Sequence, residues 1–220
     1  MNFLRKFFLG YVVLEKTETS FNGKIEVRDN LFGGKTLVVG GLSQSGGKVE
    51  WLWKKALREL KNLVTDPPAG GLKNILILGL GAGSVAHLIT NFCPEAKITG
   101  VEIDSEMIRL GKKYFKLDKN KNLEIKIADA FETINNQQLI INHYDLVLVD
   151  IYVGDQVPER VESDTFLKKI AELKSPVIFN RLYYGKKKEK TEGFSQKLKK
   201  FFTKIEAKKI GVNKLFLCRN

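Results

Sequence analysis

The chain is poor in the residues that build disulfide frameworks and metal centres. Its 220 residues include two cysteines and two histidines. Cys93 and Cys218 lie in separate apolar segments without CxxC spacing, and neither His87 nor His143 has a partner at metal-ligand spacing. The composition therefore argues against a disulfide-stapled secreted domain and against metal catalysis, and it predicts a reducing compartment.

Long apolar runs are also missing, and none reaches the length that a bilayer-spanning helix needs. Residues 1–14 are largely apolar, but charges interrupt them, the segment continues into a strand-like pattern, and no small-residue cleavage site follows. We therefore expect no signal peptide, no membrane span and a cytoplasmic location.

Acidic residues are outnumbered by basic ones, and the net charge is +12. Residues 181–220 carry most of this excess, with 13 Lys and Arg against 3 Glu. Such a cluster can bind a polyanion, or it can be the solvated face of an amphipathic helix. The helix is favoured because apolar residues repeat there at helical spacing, namely Phe194, Leu198, Phe201, Phe202 and Ile205. Polyanion contact stays an alternative.

The most informative stretch is an apolar strand over 74–78 that runs into three glycines, Gly79, Gly81 and Gly83. Glycines at this spacing let the backbone turn sharply and approach a ligand, while a helix beginning near Ser84 directs its positive end at the site. Dinucleotide sites usually read G-x-G-x-x-G. The shorter spacing here favours an adenosyl sulfonium donor over NAD.

Three later strands each end in a carboxylate, at Glu102, Asp129 and Asp150. Since ligands bind at the carboxyl ends of parallel strands, these acids should converge beside the glycine loop. Glu102, about 20 residues beyond the glycines, is placed to accept both ribose hydroxyls. Asp129 either faces the adenine amino group or caps a helix beginning near Phe131. Asp150 either is a structural cap or has a catalytic or substrate-facing role.

The order of segments predicts an α/β fold with a doubly wound, mostly parallel sheet. Residues 1–65 are predicted to form a β-rich extension plus a linking helix, and residues 72–220 a Rossmann-like catalytic domain. The Pro- and Gly-rich stretch between them cannot continue a helix. Near the end, a helix is predicted over 190–204 and closing strands over 205–218.

Together, the β-rich leader, the segment Gly40-Gly41-Leu42-Ser43-Gln44-Ser45, the following helix and the strand-end motifs resemble the spermidine synthase family of polyamine aminopropyltransferases. That family has the class I S-adenosylmethionine-dependent methyltransferase-like fold. The resemblance covers about residues 11–180. It implies transfer of an aminopropyl group from decarboxylated S-adenosylmethionine to a small amine such as putrescine, and it implies a homodimer or a tetramer.

The resemblance also implies roles for individual residues: donor contact for Gln44, ribose binding for Glu102, adenine binding for Asp129 and Ala130, and general-base catalysis for Asp150. The tyrosine that lines the family's amine pocket corresponds to Trp53. Beside the predicted base, Tyr152 and Asp155 are predicted to orient a cationic acceptor.

Three departures from the family pattern keep alternatives open. Ala82 stands where the family has an aspartate that holds the donor's terminal amine, the segment after Asp150 reads Ile-Tyr-Val-Gly-Asp instead of Ser-Ser-Asp-Pro, and no Pro-Thr-Tyr-Pro-Ser-Gly-like segment occurs near the end. Because an acid at position 82 would repel a donor carboxylate, Ala82 favours intact S-adenosylmethionine. The alternatives are a methyltransferase of unknown acceptor and a non-catalytic nucleotide- or polyanion-binding protein.

Overall fold

The computed structural model of the protein describes residues 8–60, 71–135 and 143–220, which contain two sheets. The smaller sheet is antiparallel, with strands in chain order: β1 Tyr11–Thr19, β2 Gly23–Asn30, β3 Lys35–Val39 and β4 Leu42–Gly46. The larger sheet contains β5 Asn74–Leu78, β6 Lys97–Glu102, β7 Leu123–Ile127, β8 Leu146–Val149, β9 Val177–Leu182, β10 Lys204–Ile210 and β11 Asn213–Arg219. Its strand order is β10-β11-β9-β8-β5-β6-β7.

The larger sheet is parallel from β7 to β9 and antiparallel at β11 and β10. The α-helices in the described residues are α1 Gly47–Leu60, α2 Ser84–Phe92, α3 Ser105–Phe115, α4 Ala130–Asn135, α5 Asp164–Glu172 and α6 Lys187–Leu198. The predicted α/β fold with a mostly parallel sheet is confirmed, as is a small β-rich unit before it.

The central strands form because their sequences are continuously apolar. Residues 75–78 of β5 and all of β8 are buried. A strand covered on both faces has no need of alternating polar positions, which explains the uninterrupted run. Two groups of buried side chains, one on each face of the sheet, make up most of the core.

The small sheet packs on α3 through both apolar and charged contacts. Its inward side chains, Ile25, Val27, Leu37 and Val39, form one cluster with Ala82, Met107 and Leu110. At the edge of this cluster the Glu15 carboxylate accepts hydrogen bonds from Lys113 Nζ and Tyr114 Oη, each at 2.7 Å, and from Arg109. These donors, led by Lys113, lower the pKa of Glu15 from 4.5 to about 2. The network joins β1 of the small sheet to helix α3.

Replacing Glu15 is expected to weaken this junction in a pH-dependent way. Because the folded state holds the pKa of Glu15 below its ordinary value, its contribution is present above about pH 4.5 and is lost as the pH falls toward 2. We expect Glu15→Gln to lower the melting temperature by about 2–4 °C at neutral pH, since surface ion pairs contribute at most about 1 kcal/mol. Thermal unfolding of both proteins from neutral to acidic pH measures this. A difference that stays constant down to pH 2 would contradict the assignment.

The predicted helix over 190–204 is wrong in its bounds. Helix α6 covers Lys187–Leu198, its end tightens as the Phe201 N–H donates to the Leu198 carbonyl, and β10 begins at Lys204. Phe194, Leu198 and Phe202 are nevertheless buried on one side of the large sheet. Helix α6, the turn that follows it and β10 all cover the same core. The apolar spacing in the sequence therefore continues past the end of the helix.

Much of the positive charge of residues 181–220 is paired with acids. The pairs include Arg181–Glu162, Lys187–Asp155, Lys197–Asp164, Lys214–Glu192 and Arg219–Glu206. Several of these pairs join α6 and the closing strands to neighbouring elements, so these cations contribute to packing the end of the chain.

No helix within the described ranges has the length and apolarity required to cross a bilayer.

Candidate active site

A cavity opens at the carboxyl ends of β5, β6 and β8, where the sequence predicted a site. Its lining includes eight predicted site residues: Gln44, Gly79, Gly81, Glu102, Asp129, Ala130, Asp150 and Tyr152. Three others, Trp53, Gly83 and Asp155, lie outside the lining. The fold therefore gathers the glycine loop and all three strand-end acids around one space.

The glycine loop allows very close packing at two positions. Gly79 and Gly83 have φ values of 90° and 91°. A Cβ on Gly79 would lie 2.3 Å from the Asp150 carbonyl oxygen, and one on Gly83 would lie 2.2 Å from a methyl carbon of Leu117. Both glycines are thus required by sterics as well as by backbone conformation. The end of β5 can pass directly beside the end of β8 because of Gly79.

Glu102, at the end of β6, is a buried carboxylate tied to the glycine loop. One oxygen accepts a hydrogen bond from Gly81 N at 2.8 Å, and the other accepts from Asp104 N at 3.0 Å. Burial raises the pKa of Glu102, and these two backbone donors oppose that effect. Each carboxylate oxygen keeps capacity for another donor, so the group can still accept two ligand hydroxyls.

The turn between β1 and β2 reaches this side of the cavity, which the sequence did not predict. Asp104 caps α3 and also accepts hydrogen bonds from Thr19 Oγ1 at 2.6 Å and Asn22 Nδ2 at 2.7 Å. Phe21 and Asn22 consequently line the cavity. A short turn without a motif gave no functional signal, because its role depends on contacts with a loop more than 80 residues away.

Asp129 caps α4 in this structure. Its Oδ1 accepts from Phe131 N at 2.8 Å and Glu132 N at 3.1 Å, and its Oδ2 lies 3.1 Å from Arg160 Nη1. Arg160, a cavity residue absent from the sequence prediction, also pairs with Glu132 and lies over the Phe131 ring. The carboxylate is therefore held firmly beside Ala130, and adenine binding by Asp129 stays a prediction.

Asp150 follows β8, and a side chain is bonded to each of its carboxylate oxygens. Oδ1 accepts from Asn180 Nδ2 at 2.8 Å and Oδ2 accepts from Trp53 Nε1 at 2.9 Å. Burial raises the pKa of Asp150, whereas these two hydrogen bonds and the nearby Arg181 charge oppose the rise. The Trp53 side chain is fully buried behind the carboxylate. Asn180 was not predicted, because an asparagine within an apolar strand matches no motif.

The two residues predicted to orient the acceptor lie in different surroundings. Tyr152 lines the cavity, its hydroxyl donates to the Asn180 carbonyl at 3.0 Å, and burial raises its pKa. Asp155 is half exposed and lies 2.6 Å from Lys187 Nζ, which lowers the pKa of Asp155. Only Tyr152 is positioned at the cavity wall.

Strand β4 joins the small sheet to both sides of the site. Gln44 Nε2 donates to the Gly154 carbonyl at 2.7 Å, which fixes the loop after Asp150. Ser45 Oγ accepts from Ala82 N at 3.0 Å. The Ala82 side chain is buried within the apolar cluster under the small sheet. Position 82, where the resembling family has a carboxylate, therefore carries a buried apolar side chain that is not part of the cavity lining.

Fold and site together define a class of protein: an α/β protein of the class I methyltransferase-like fold, with a cavity beside a glycine loop. Comparison with known families narrows this class. The family profile of the spermine/spermidine synthase domain matches residues 60–179, more than half of the chain. The chain belongs to the spermine/spermidine synthase family.

Curated relatives include both aminopropyltransferases and methyltransferases. A polyamine aminopropyltransferase of Vibrio vulnificus is 32% identical over 103 residues, which cover 47% of this chain and 34% of that protein. An eEF1A lysine and N-terminal methyltransferase homolog of Drosophila melanogaster is 31% identical over 93 residues, 42% of this chain and 14% of that protein. The matched segment thus spans about a third of the first relative's length, and less of the second.

Solved structures show the same fold at low sequence identity. Spermidine synthase from Thermotoga maritima superposes with a TM-score of 0.73 at 15% identity, covering 94% of this chain and 72% of the other. Human methyltransferase-like protein 13 in complex with SAH superposes with a TM-score of 0.59 at 21% identity, covering 78% of this chain and 80% of the other. The fold is therefore common to enzymes that transfer different groups.

Proposed function

We propose that the protein transfers an alkyl group from a sulfonium adenosyl donor to an amine, with Asp150 as the general base. The observation that carries this proposal is the Asp150 carboxylate, which lies at the wall of the cavity next to the glycine loop. In the proposed complex, Glu102 accepts the ribose hydroxyls, Asp129 and Ala130 flank the adenine, and Gln44 contacts the donor. Trp53 takes part through Asp150, and Tyr152 and Asp155 orient the acceptor.

The chemistry requires an acceptor nitrogen with a free lone pair. Asp150 accepts the proton of the bound ammonium, the neutral nitrogen forms a bond to the alkyl carbon, and the carbon–sulfur bond breaks to leave a neutral thioether. Proton removal by a positioned base is most effective when the pKa of that base is near the working pH. Burial moves the pKa of Asp150 upward, in the direction that this role favours.

Aminopropyl transfer from decarboxylated S-adenosylmethionine is the first candidate, because the family and the Vibrio vulnificus relative support it. Methyl transfer from S-adenosylmethionine is the second, and Ala82 favours it. The buried apolar side chain of Ala82 offers no carboxylate to a donor ammonium. Its lack of negative charge also removes a source of repulsion for the carboxylate of intact S-adenosylmethionine.

Donor preference decides between these candidates, and titration calorimetry measures it directly. The ligands are S-adenosylmethionine, decarboxylated S-adenosylmethionine and methylthioadenosine, with NAD as the control. Tighter binding of the decarboxylated donor by about tenfold or more, equal to about 1.4 kcal/mol, would support aminopropyl transfer. The reverse preference would support methyl transfer. Binding of none of the three adenosyl compounds would contradict the proposal and favour a non-catalytic protein.

The remaining expectations belong to the same proposal. We propose a small-molecule amine as acceptor, a homodimer as the assembly, and the cytoplasm as the location. We also keep the division into an extension over 1–65 and a catalytic domain over 72–220. Contact of residues 181–220 with a polyanion belongs to the alternative, a binding protein whose affinity would fall steeply with salt.

A further inference from the structure

A chain of polar side chains extends from Asp150 into the core. Asn180, on β9, donates from Nδ2 to Asp150 Oδ1 at 2.8 Å. The amide oxygen of Asn180 accepts a hydrogen bond in turn from Asn213 Nδ2, at 2.9 Å, and Asn213 begins β11. Both asparagines are buried, with 4% and 8% of their surface exposed. Residues on two neighbouring strands, β9 and β11, and the residue that follows β8 thus form a continuous series of hydrogen bonds.

The direction of each hydrogen bond depends on the previous one. An asparagine amide has a donor end and an acceptor end, and rotating it by half a turn exchanges them. Because Asn213 donates to Asn180 Oδ1, the Asn180 amino group must point at Asp150. In the opposite orientation two amino groups would face each other, and the Asp150 oxygen would face the Asn180 oxygen. Burial makes such unmatched groups costly.

A second element fixes the carboxylate from the other side. Trp53, on α1, donates from Nε1 to Asp150 Oδ2 at 2.9 Å, and its indole is fully buried. The two oxygens of Asp150 are therefore held by donors from α1 and β9. The carboxyl plane is set by both contacts, and neither donor can lose a proton at ordinary pH.

We propose that Asn213 and Asn180, together with Trp53, are positioning residues that hold the Asp150 carboxylate in one rotamer with one oxygen facing each donor. The catalytic importance of this positioning rests on the proposed role of Asp150 as the general base. Asn213 lies two hydrogen bonds from the carboxylate and acts only by orienting the Asn180 amide. The arrangement stabilises the ionised form of an acid at the cavity wall without adding a second charge at contact distance.

Charged and titratable groups around Asp150 are few within the described residues, so its titration can be interpreted. Arg181, on β9, favours the ionised form through its charge, and Tyr152 lies close on the loop after β8. Arg181 is itself paired with Glu162 at 3.0 Å. Since burial raises the pKa of Tyr152 still further above its ordinary value of 10.0, that hydroxyl stays protonated while Asp150 titrates.

The Trp53 indole N–H can report the ionisation of Asp150. It has two tryptophans: Trp53 donates its indole N–H to Asp150, whereas Trp51 is 54% exposed. In ¹H–¹⁵N spectra of labelled protein recorded over about pH 4 to 9, the Trp53 indole resonance should shift as Asp150 ionises. Trp51 serves as the internal reference. Trp53→Phe assigns the two resonances, and Asp150→Asn should abolish the titration.

Removing either asparagine should move the midpoint of this titration upward. Asn180→Leu deletes a donor to the charged form, and we expect the midpoint to rise by about one pH unit or more. Asn213→Leu leaves that donor in place but frees the amide to rotate, so the rise should be smaller and in the same direction. Asn122→Leu makes the same substitution at an exposed position just before β7, at the far edge of the sheet, and should leave the midpoint unchanged.

The proposal would be overturned if the midpoint of the Trp53 titration in Asn180→Leu or in Asn213→Leu equalled that of the unsubstituted protein. It would also be overturned if the Trp53 resonance titrated in the same way in Asp150→Asn. If Asn180→Leu does not fold, Asn180→Ser and Asn213→Leu provide the same comparison. The spectra need neither donor nor acceptor. Failure of the proposed function would therefore appear in the measurements of donor binding and turnover. Failure of the proposed positioning by Asn180 and Asn213 would appear in the pH titration of the Trp53 resonance.

Discussion

Asp150→Asn should remove turnover while the affinity for the donor changes little. An asparagine has nearly the same shape but cannot accept the proton of an ammonium, so the rate should fall by about 10²–10⁴-fold, the usual range for loss of a general base. The donor is predicted to bind mainly through Glu102, Asp129 and the glycine loop. Mass spectrometry of a supplied amine after incubation with the preferred donor measures turnover, and calorimetry measures donor binding.

The matched control for this variant is Asp164→Asn, the same substitution at the start of α5. Asp164 is exposed and pairs with Lys197 at 3.0 Å, away from the cavity lining. Its turnover should match that of the unsubstituted protein. If Asp150→Asn retained full turnover, Asp150 would not be the base. If it lost donor binding as well, the residue would belong to the donor site.

Glu102→Ala should have the largest effect on donor binding. A carboxylate that accepts ribose hydroxyls makes charged hydrogen bonds of about 1.5–3 kcal/mol, so its loss should weaken the donor by about 10–100-fold. The substitution also leaves Gly81 N and Asp104 N without their acceptor, which should loosen the glycine loop. Calorimetry with the preferred donor gives the change in affinity.

Two further variants serve as comparisons for Glu102→Ala. Glu102→Gln keeps the shape and one oxygen but puts an amino group where the other backbone N–H and a ribose hydroxyl need an acceptor, so it should also bind poorly. Glu124→Ala, on the neighbouring strand β7, removes an exposed carboxylate and should bind the donor normally. Equal donor affinity in Glu102→Ala and the unsubstituted protein would remove the ribose assignment.

Much of the site could be predicted because its residues lie at or just after the ends of successive strands. Runs such as residues 75–78 identify buried parallel strands, and the residues just after such strands must meet at one edge of the sheet. That argument placed Glu102, Asp129 and Asp150 together, and the structure brings all three to one cavity. The glycine spacing marked the loop beside them.

Other parts of the site carried no pattern along the chain. Phe21 and Asn22 reach the cavity through a turn, Arg160 lies on the short 3-10 helix Glu159–Glu162, and Asn180 lies within an apolar strand. The helix near the end was predicted at 190–204 because apolar residues on a helix and on the strand after it continued the same spacing. Periodicity reports which side chains are buried, and it does not report where the backbone changes direction.

The sequence by itself determined the fold class, the glycine loop and the positions of the three acids, because each depends on residues adjacent in the chain. Only the tertiary structure decided what surrounds those acids. Trp53 and Asn180, which lie 97 and 30 residues from Asp150, become its hydrogen-bond donors, and Asn213 orients one of them. The physical reason is that hydrogen bonds and burial act over a few ångströms in space, whatever the separation along the chain.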